Sequence, residues 1–301
     1  MIRLRKFFVA GVACAAVACA ASTPPRFALS PSATRGVLFI VGGGNQSIDL
    51  VRQFVTLAGG PGKARIAILP MATSDAVATG AEKEAQLDSL GADAFVVNVT
   101  RSQADADSVV RLIRGATGIW FPGGDQTLLT AALNGSAALR AIHERYEAGA
   151  VVGGTSAGAA VMSDSMITGN QFYPGVASPS DTGSFTRLGR RTIEIAPGFG
   201  FLHNAIVDQH FIRRQRQNRL FSVVLERPGL LGVGIDEGTV LEVAPDGKWT
   251  VLGRSSVMVF DARAAKVTSA PALGATDIRV SVLPAGSTFD PQTGRATLPA
   301  N

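Results

Sequence analysis

The chain has 301 residues, 46% of them hydrophobic and 17% charged, enough for a sizeable buried core and unlike a disordered or fibrous protein. Its formal charge of +5 overstates any basic surface, because Arg3, Arg5 and Lys6 sit in an opening stretch that holds no acid. No interleaved basic and aromatic run follows, so composition gives no support to nucleic-acid binding.

Met1 to Lys6 is basic, Phe7 to Ala18 is apolar but too short to span a bilayer comfortably, and Ala18-Cys19-Ala20-Ala21 offers small residues for cleavage. This predicts a secretory signal over residues 1–20 and an exported protein. Both cysteines, Cys14 and Cys19, lie inside it, so the mature chain is expected to hold no internal disulfide. Ala16-Val17-Ala18-Cys19 also resembles a lipoprotein cleavage box, with Ala16 where a larger aliphatic is usual. Lipidation at Cys19 and ordinary cleavage after Ala20 both stay open at this point. Residues 21–35, rich in Ser, Thr, Pro and Ala, read as a flexible tether. Residues 36–301 then read as one α/β domain.

Gly36 to Val41 is a continuous apolar run, as in a strand covered on both faces. Gly42-Gly43-Gly44 follows, but Ser47 spoils the dinucleotide spacing and no acid ends a second strand at the right distance. The loop is therefore read as kept small so that backbone can approach a cleft. Further strands are predicted at Ala64–Leu69, Ala94–Val99 and Gly118–Phe121. Helices are predicted at Asp49–Leu57, Gly80–Leu90, Ala104–Arg114 and Ser136–Glu147, with one more between Gln126 and Ser136. That alternation predicts a largely parallel sheet with helices on both faces.

Gly149 to Ala160 is then an apolar strand, a tight turn and an Ala-rich helix start. Gly154-Thr155-Ser156-Ala157-Gly158 has the G-x-S-x-G spacing of a nucleophile elbow, in the strand-to-helix context that motif requires. The pattern is short, and a plain glycine-rich turn fits it too. In an open α/β sheet the crevice lies at the carboxyl ends of the strands. The loops Gly42–Gly44, Met71–Ser74, Pro122–Gln126 and Thr155–Gly158 should therefore gather on one side. Gly169 to Gly189 is read as a loop over the cleft, Thr192–Ala196 and Ala205–Val207 as strands, and Ile212–Leu225 as a helix carrying Arg213, Arg214, Arg216 and Arg219. After a strand at Leu230–Ile235 the pattern is β-like, with Pro245-Asp246-Gly247 as a hairpin turn.

A serine nucleophile needs a base. Among the three histidines, His143 stands between charged residues of a helix and reads as solvated. His203 lies in a loop. His210 follows a strand on the functional side and is the candidate. Its orienting acid is open: Asp208 shares its strand but is far for a short side chain, and Asp236 and Glu237 both end the next strand. Ala157 is placed to offer an oxyanion N–H, with Gly123 or Gly124 as a second donor. The arginines after His210 are by default a solvated helix face. The alternative is a clamp for a substrate carboxylate.

Taken together these residues resemble the cyanophycinases, serine peptidases related to the peptidase E-type aspartyl dipeptidases. Gly153 to Ser163 (GGTSAGAAVMS) resembles their nucleophile signature, and Phe121 to Gln126 (FPGGDQ) their loop with a substrate-binding glutamine. Asp208 to Leu220 matches D-Q-H-F-x-x-R-x-R-x-x-R-L, and Gly234 to Glu237 resembles the segment with the third catalytic residue. The likeness runs in order from about Gly36 to Ala296. It implies a class I glutamine amidotransferase-like fold with an added C-terminal β region, and a triad of Ser156, His210 and Glu237. It also implies an oxyanion hole at Gly124 and Ala157, and a substrate pocket of Gln126, Asp208, Gln209, Arg214, Arg216 and Arg219. The reaction implied is hydrolysis of cyanophycin, poly-aspartate with arginine on each side-chain carboxyl, to β-Asp-Arg dipeptides. No metal or organic cofactor is needed, and a homodimer is expected. An aspartyl or isoaspartyl dipeptidase, or a peptide-binding lipoprotein without turnover, are the alternatives. The family often has an acidic loop after its first strand where this chain has Gly42-Gly43-Gly44-Asn45-Gln46, and many members act inside the cell.

Overall fold

A computed structural model of the chain describes residues 36–172, 187–270 and 272–300. The signal segment with its cysteines, the tether and residues 173–186 of the expected cleft loop lie outside the described residues.

The predicted alternation becomes β1 (Leu38–Val41), α1 (Ile48–Leu57), β2 (Arg65–Ile68), α2 (Ala76–Asp88), β3 (Asp93–Val96), α3 (Asp107–Arg114), β4 (Gly118–Phe121), α4 (Gln126–Leu133), α5 (Ala137–Glu147), β5 (Val151–Thr155) and α6 (Ala157–Ala160). β1, β5, β4, β2 and β3 pair in that order, all parallel. The continuous apolar runs follow from burial on both faces. Leu38 and Ile40 pack on one side with Phe121, Val152 and Met162, while Phe39 and Val41 pack on the other with Phe54, Ile66 and Trp120. Because the strands are parallel, their carboxyl ends share one edge of the sheet.

Downstream lie β6 (Ser165–Gln171), β7 (Ile193–Pro197), β8 (Ala205–Gln209), α7 (Gln217–Glu226), β9 (Leu231–Ile235), β10 (Thr239–Val243), β11 (Trp249–Gly253), β12 (Ser256–Asp261), β13 (Lys266–Val267), β14 (Ala275–Thr276), β15 (Arg279–Pro284), β16 (Thr288–Asp290) and β17 (Arg295–Thr297). β10, β11, β16 and β17 extend the main sheet antiparallel from β1, making it nine-stranded. β8, β9, β12 and β15 form a separate four-stranded sheet covered by α7. The architecture is thus the expected mixed α/β fold with extra C-terminal strands.

Three local expectations need correction. Residues 169–171, read as the start of the cleft loop, belong to β6, which pairs with β7. The helix expected at Ile212 begins only at Gln217. Gln215 has φ +51°, which no α-helix accommodates, and the Asp236 carboxylate takes the N–H groups of Ile212 and Arg213, so the segment after Phe211 is a turn. His143 is half-buried rather than solvated. Its ring stacks on Phe201 with centroids 4.2 Å apart, its Nε2 meets the Phe199 carbonyl at 2.8 Å, and burial pulls its pKa below the ordinary value.

Candidate active site

β5 ends in a turn that only this local sequence tolerates. Ser156 has φ +54° and ψ −109°, a sparsely populated conformation for a residue with a Cβ. Gly154 and Gly158 leave no room for side chains: a Cβ at either would run into backbone, at Gly154 that of Gly158 and at Gly158 that of Phe121. The Ser156 carbonyl accepts from the N–H groups of Ala159 and Ala160, starting the single turn of α6.

His210 stands at the end of β8, also at positive φ, +48°. Its Nε2 lies 2.8 Å from the Ser156 Oγ, and its Nδ1 lies 2.6 Å from Oε1 of Glu237. An ionised carboxylate only accepts, so Nδ1 carries the proton and Nε2 accepts from the serine hydroxyl. Burial is the largest influence on His210 and lowers its pKa. The Glu237 bond pulls the other way, while the charges of Arg214 and Arg216 lower it further, and the net result is below the ordinary 6.5. The ring is therefore neutral near pH 7, as a general base requires.

Among the three acids left open by sequence, geometry separates Glu237 from the other two. Asp208 is buried and held in a two-point ion pair by the Nε and Nη2 of Arg219, with Arg216 3.8 Å away. Both oxygens of Asp236 are engaged, Oδ1 by the N–H groups of Ile212 and Arg213, Oδ2 by the hydroxyl of Ser255. Glu237 alone faces the imidazole.

One short loop aligns all three elements. The carbonyl of Val41 accepts from Ser156 N–H at 3.1 Å, that of Gly42 from His210 N–H at 2.6 Å, and that of Gly43 from Gly238 N–H at 2.8 Å. Three consecutive peptide units at the end of β1 thus fix the Ser156 turn, His210 and the residue following Glu237. Gly43 (φ +101°) also presses on the imidazole so closely that a Cβ there would fall on the ring. The reading of this loop as small for close approach holds, and what it approaches is His210.

The other predicted residues divide sharply. Ala157 begins α6 beside Ser156. Gly123 lies against Ser156, its Cβ position 3.4 Å from the serine Cβ, whereas Gly124 packs on the Ala72 carbonyl. Gln126 is buried and its amide nitrogen bonds the carbonyls of Ile167 and Thr168 at 2.7 and 2.8 Å, tying α4 to β6. Gln209 accepts from Arg216 through its side chain and through its carbonyl. Asp208, Gln209, Arg216 and Arg219 are all buried, so two of the arginines read by default as a solvated helix face are internal. Arg214 is exposed. His203 is exposed too, with its Nδ1 on Asp164 at 2.8 Å. Asp236, a candidate orienting acid by sequence, instead pins the turns at Ile212–Arg213 and Ser255. Arg254, which sequence reading did not single out, borders the cleft beside Glu237. No metal-binding cluster of His, Cys, Asp and Glu, and no helix long and apolar enough to cross a membrane, occurs among the described residues.

Residues 38–251 match the model of peptidase family S51. The chain is 31% identical over 272 residues to the cyanophycinase of Nostoc sp. strain PCC 7120, covering 86% of this chain and 87% of that protein. It is 33% identical over 244 residues to the cyanophycinase of Synechococcus elongatus, covering 79% and 72%. The crystal structure of a peptidase from an acI-B1 Actinobacterium shares the fold, with a TM-score of 0.63 at 24% identity over 84% of this chain and 96% of that one. The class defined is a serine-type peptidase. The chain belongs to peptidase family S51 and is cyanophycinase-like.

Proposed function

We propose that this chain hydrolyses cyanophycin to β-Asp-Arg dipeptides, with Ser156 as nucleophile, His210 as base and Glu237 as its orienting acid. The observation that carries this is the unbroken hydrogen-bonded line from Ser156 through His210 to Glu237. As Ser156 Oγ attacks the scissile carbonyl carbon, its proton passes to His210 Nε2 and Glu237 steadies the imidazolium. The carbonyl oxygen gains the negative charge and would accept hydrogen bonds donated by the N–H of Ala157 and by an N–H of the Gly123–Gly124 loop. Collapse breaks the C–N bond, and the leaving amine takes the proton from Nε2. Water, deprotonated by the same nitrogen, then frees the acyl group and returns the serine hydroxyl. Arg214 is the one predicted substrate arginine positioned in the open, beside the base.

The test is dipeptide release from purified cyanophycin, alongside a panel of short Asp-containing dipeptides. Wild type is expected to release β-Asp-Arg, and Ser156→Ala to release none. Cleavage of the short peptides with the polymer left intact would move the assignment to an aspartyl or isoaspartyl dipeptidase. Failure to label Ser156 with a fluorophosphonate would leave only peptide binding. Export is part of the proposal, carried by the basic–apolar–small pattern of residues 1–20. Mass spectrometry of the mature N-terminus distinguishes lipid on Cys19 from a start at Ala21.

A further inference from the structure

A cleft bordered by Glu237 has a volume of about 630 Å³ and is lined by Ile212, Arg213, Asp236, Glu237, Arg254 and Ser255. Its lining carries two arginines and two carboxylates, and the carboxylates are already hydrogen-bonded while the guanidiniums, among the described residues, are not. Asp236 is buried and both its oxygens are occupied, and Glu237 directs one oxygen to His210. Arg213 and Arg254 are exposed, and neither guanidinium has a hydrogen bond or ion pair among the described residues. The cleft therefore presents two uncommitted forks, each suited to bidentate recognition of a carboxylate.

The two arginines are also built in rather than scattered. Asp236 binds the Arg213 N–H at 2.9 Å and the Ser255 hydroxyl at 2.8 Å, so one buried carboxylate pins both turns that carry them. The Arg254 N–H donates to the Gly238 carbonyl at 3.1 Å, and its side chain lies over Gly238, where a Cβ would strike Nε. Gly238 directly follows the acid of the triad. Arg254 also borders a second cleft of about 440 Å³ on the other side of that segment, so it stands as a ridge between two grooves.

We propose that Arg213 and Arg254 form a subsite for the free carboxylates of a peptide polymer, which in cyanophycin are the α-carboxylates of its arginines, engaging the chain away from the scissile bond. The inference rests on the peptidase reading of Ser156. From the serine Oγ, the cleft is reached across the imidazole and two hydrogen bonds of 2.8 and 2.6 Å. That span corresponds to about two to three residues of extended chain. A polymer would reach the subsite where a dipeptide would not, so the arginines would set preference for chain length.

The experiment measures binding of fluorescent oligo-aspartate to protein carrying Ser156→Ala, alone and combined with Arg213→Gln, Arg254→Gln or both. Each arginine change is expected to weaken binding about three- to tenfold and the pair about ten- to hundredfold, less than buried charge-assisted hydrogen bonds because both arginines are exposed. The loss should shrink as salt rises. Arg227→Gln, exposed at the far end of β9, controls for net charge and should change nothing. In the active protein the same variants should raise KM for cyanophycin and keep kcat. Unchanged oligo-aspartate binding, an equal loss in Arg227→Gln, or a fall in kcat at constant KM would each overturn the subsite. If wild type leaves cyanophycin intact while the arginine variants still lose oligo-aspartate binding, the subsite stands and the substrate assignment falls.

Discussion

Ser156 and His210 both stand at positive φ where a strand gives out, and they are supported in different ways. Ser156 is held by its own neighbours: Gly154 and Gly158 vacate the space, and α6 starts on its carbonyl. His210 has Phe211 and Gln209 as neighbours, and its support comes from elsewhere in the chain. Gly42 takes its N–H, Gly43 walls its ring, and the Asp208–Arg219 pair underlies the strand it ends. A conformation costing on the order of 1–3 kcal/mol persists only where surroundings over-determine it. The Ser156 turn meets that condition largely through its neighbours, with one bond from the Val41 carbonyl, and the His210 turn almost wholly through long-range contacts.

The largest expected effect removes chemistry without touching either support. Ser156→Ala should lower kcat by about 10⁴-fold or more while leaving urea unfolding unchanged. A large loss of stability would show that the serine turn is not self-contained. Next, Asp208→Ala strips the buried arginines of their carboxylate and should cost about 3–5 kcal/mol in unfolding free energy. A loss under about 1 kcal/mol would mean that the His210 strand does not depend on that pair.

Gly43→Ala tests the external wall directly. A methyl there displaces the imidazole, and a shift near 1 Å costs about 10²-fold in rate. The measurement is kcat/KM beside thermal unfolding, and unchanged activity would break the comparison. The smallest effect is electrostatic. His210 must be neutral to accept the serine proton, so kcat/KM should fall as pH drops through its pKa, which lies below the ordinary 6.5. Arg214→Gln removes one of the positive charges that hold it low, so the acid limb should move to higher pH. A profile that stays in place would show that the Arg214 charge does not act on the imidazole.

This contrast also marks what sequence reveals. The parallel sheet, its helices and the Ser156 turn were legible because their determinants are adjacent in the chain: apolar runs, helix stops, glycines flanking one serine. His210 was legible from its position after a strand. The choice of Glu237 over Asp208 and Asp236 needed the resemblance, since it depends on which carboxylates are already engaged by Arg219, Ser255 and two backbone N–H groups. The fate of the arginines was hidden for the same reason. Gln215 at positive φ breaks the expected helix, and Arg216 and Arg219 turn inward while Arg213 and Arg214 stay outside. Arg254 carries no local signal at all. It reaches the site only because β11 pairs with β10, which follows Glu237.

The three carbonyls after β1 have a consequence for variation. Val41, Gly42 and Gly43 meet Ser156, His210 and Gly238 in step, so the spacing of these three positions is copied from the peptide repeat of a single segment. Inserting or deleting one residue there would put every partner out of phase at once. Asn45 and Gln46, just beyond, border a cleft and are outside that register. Drift and selection can thus rewrite the tip of this loop only while its length is left alone.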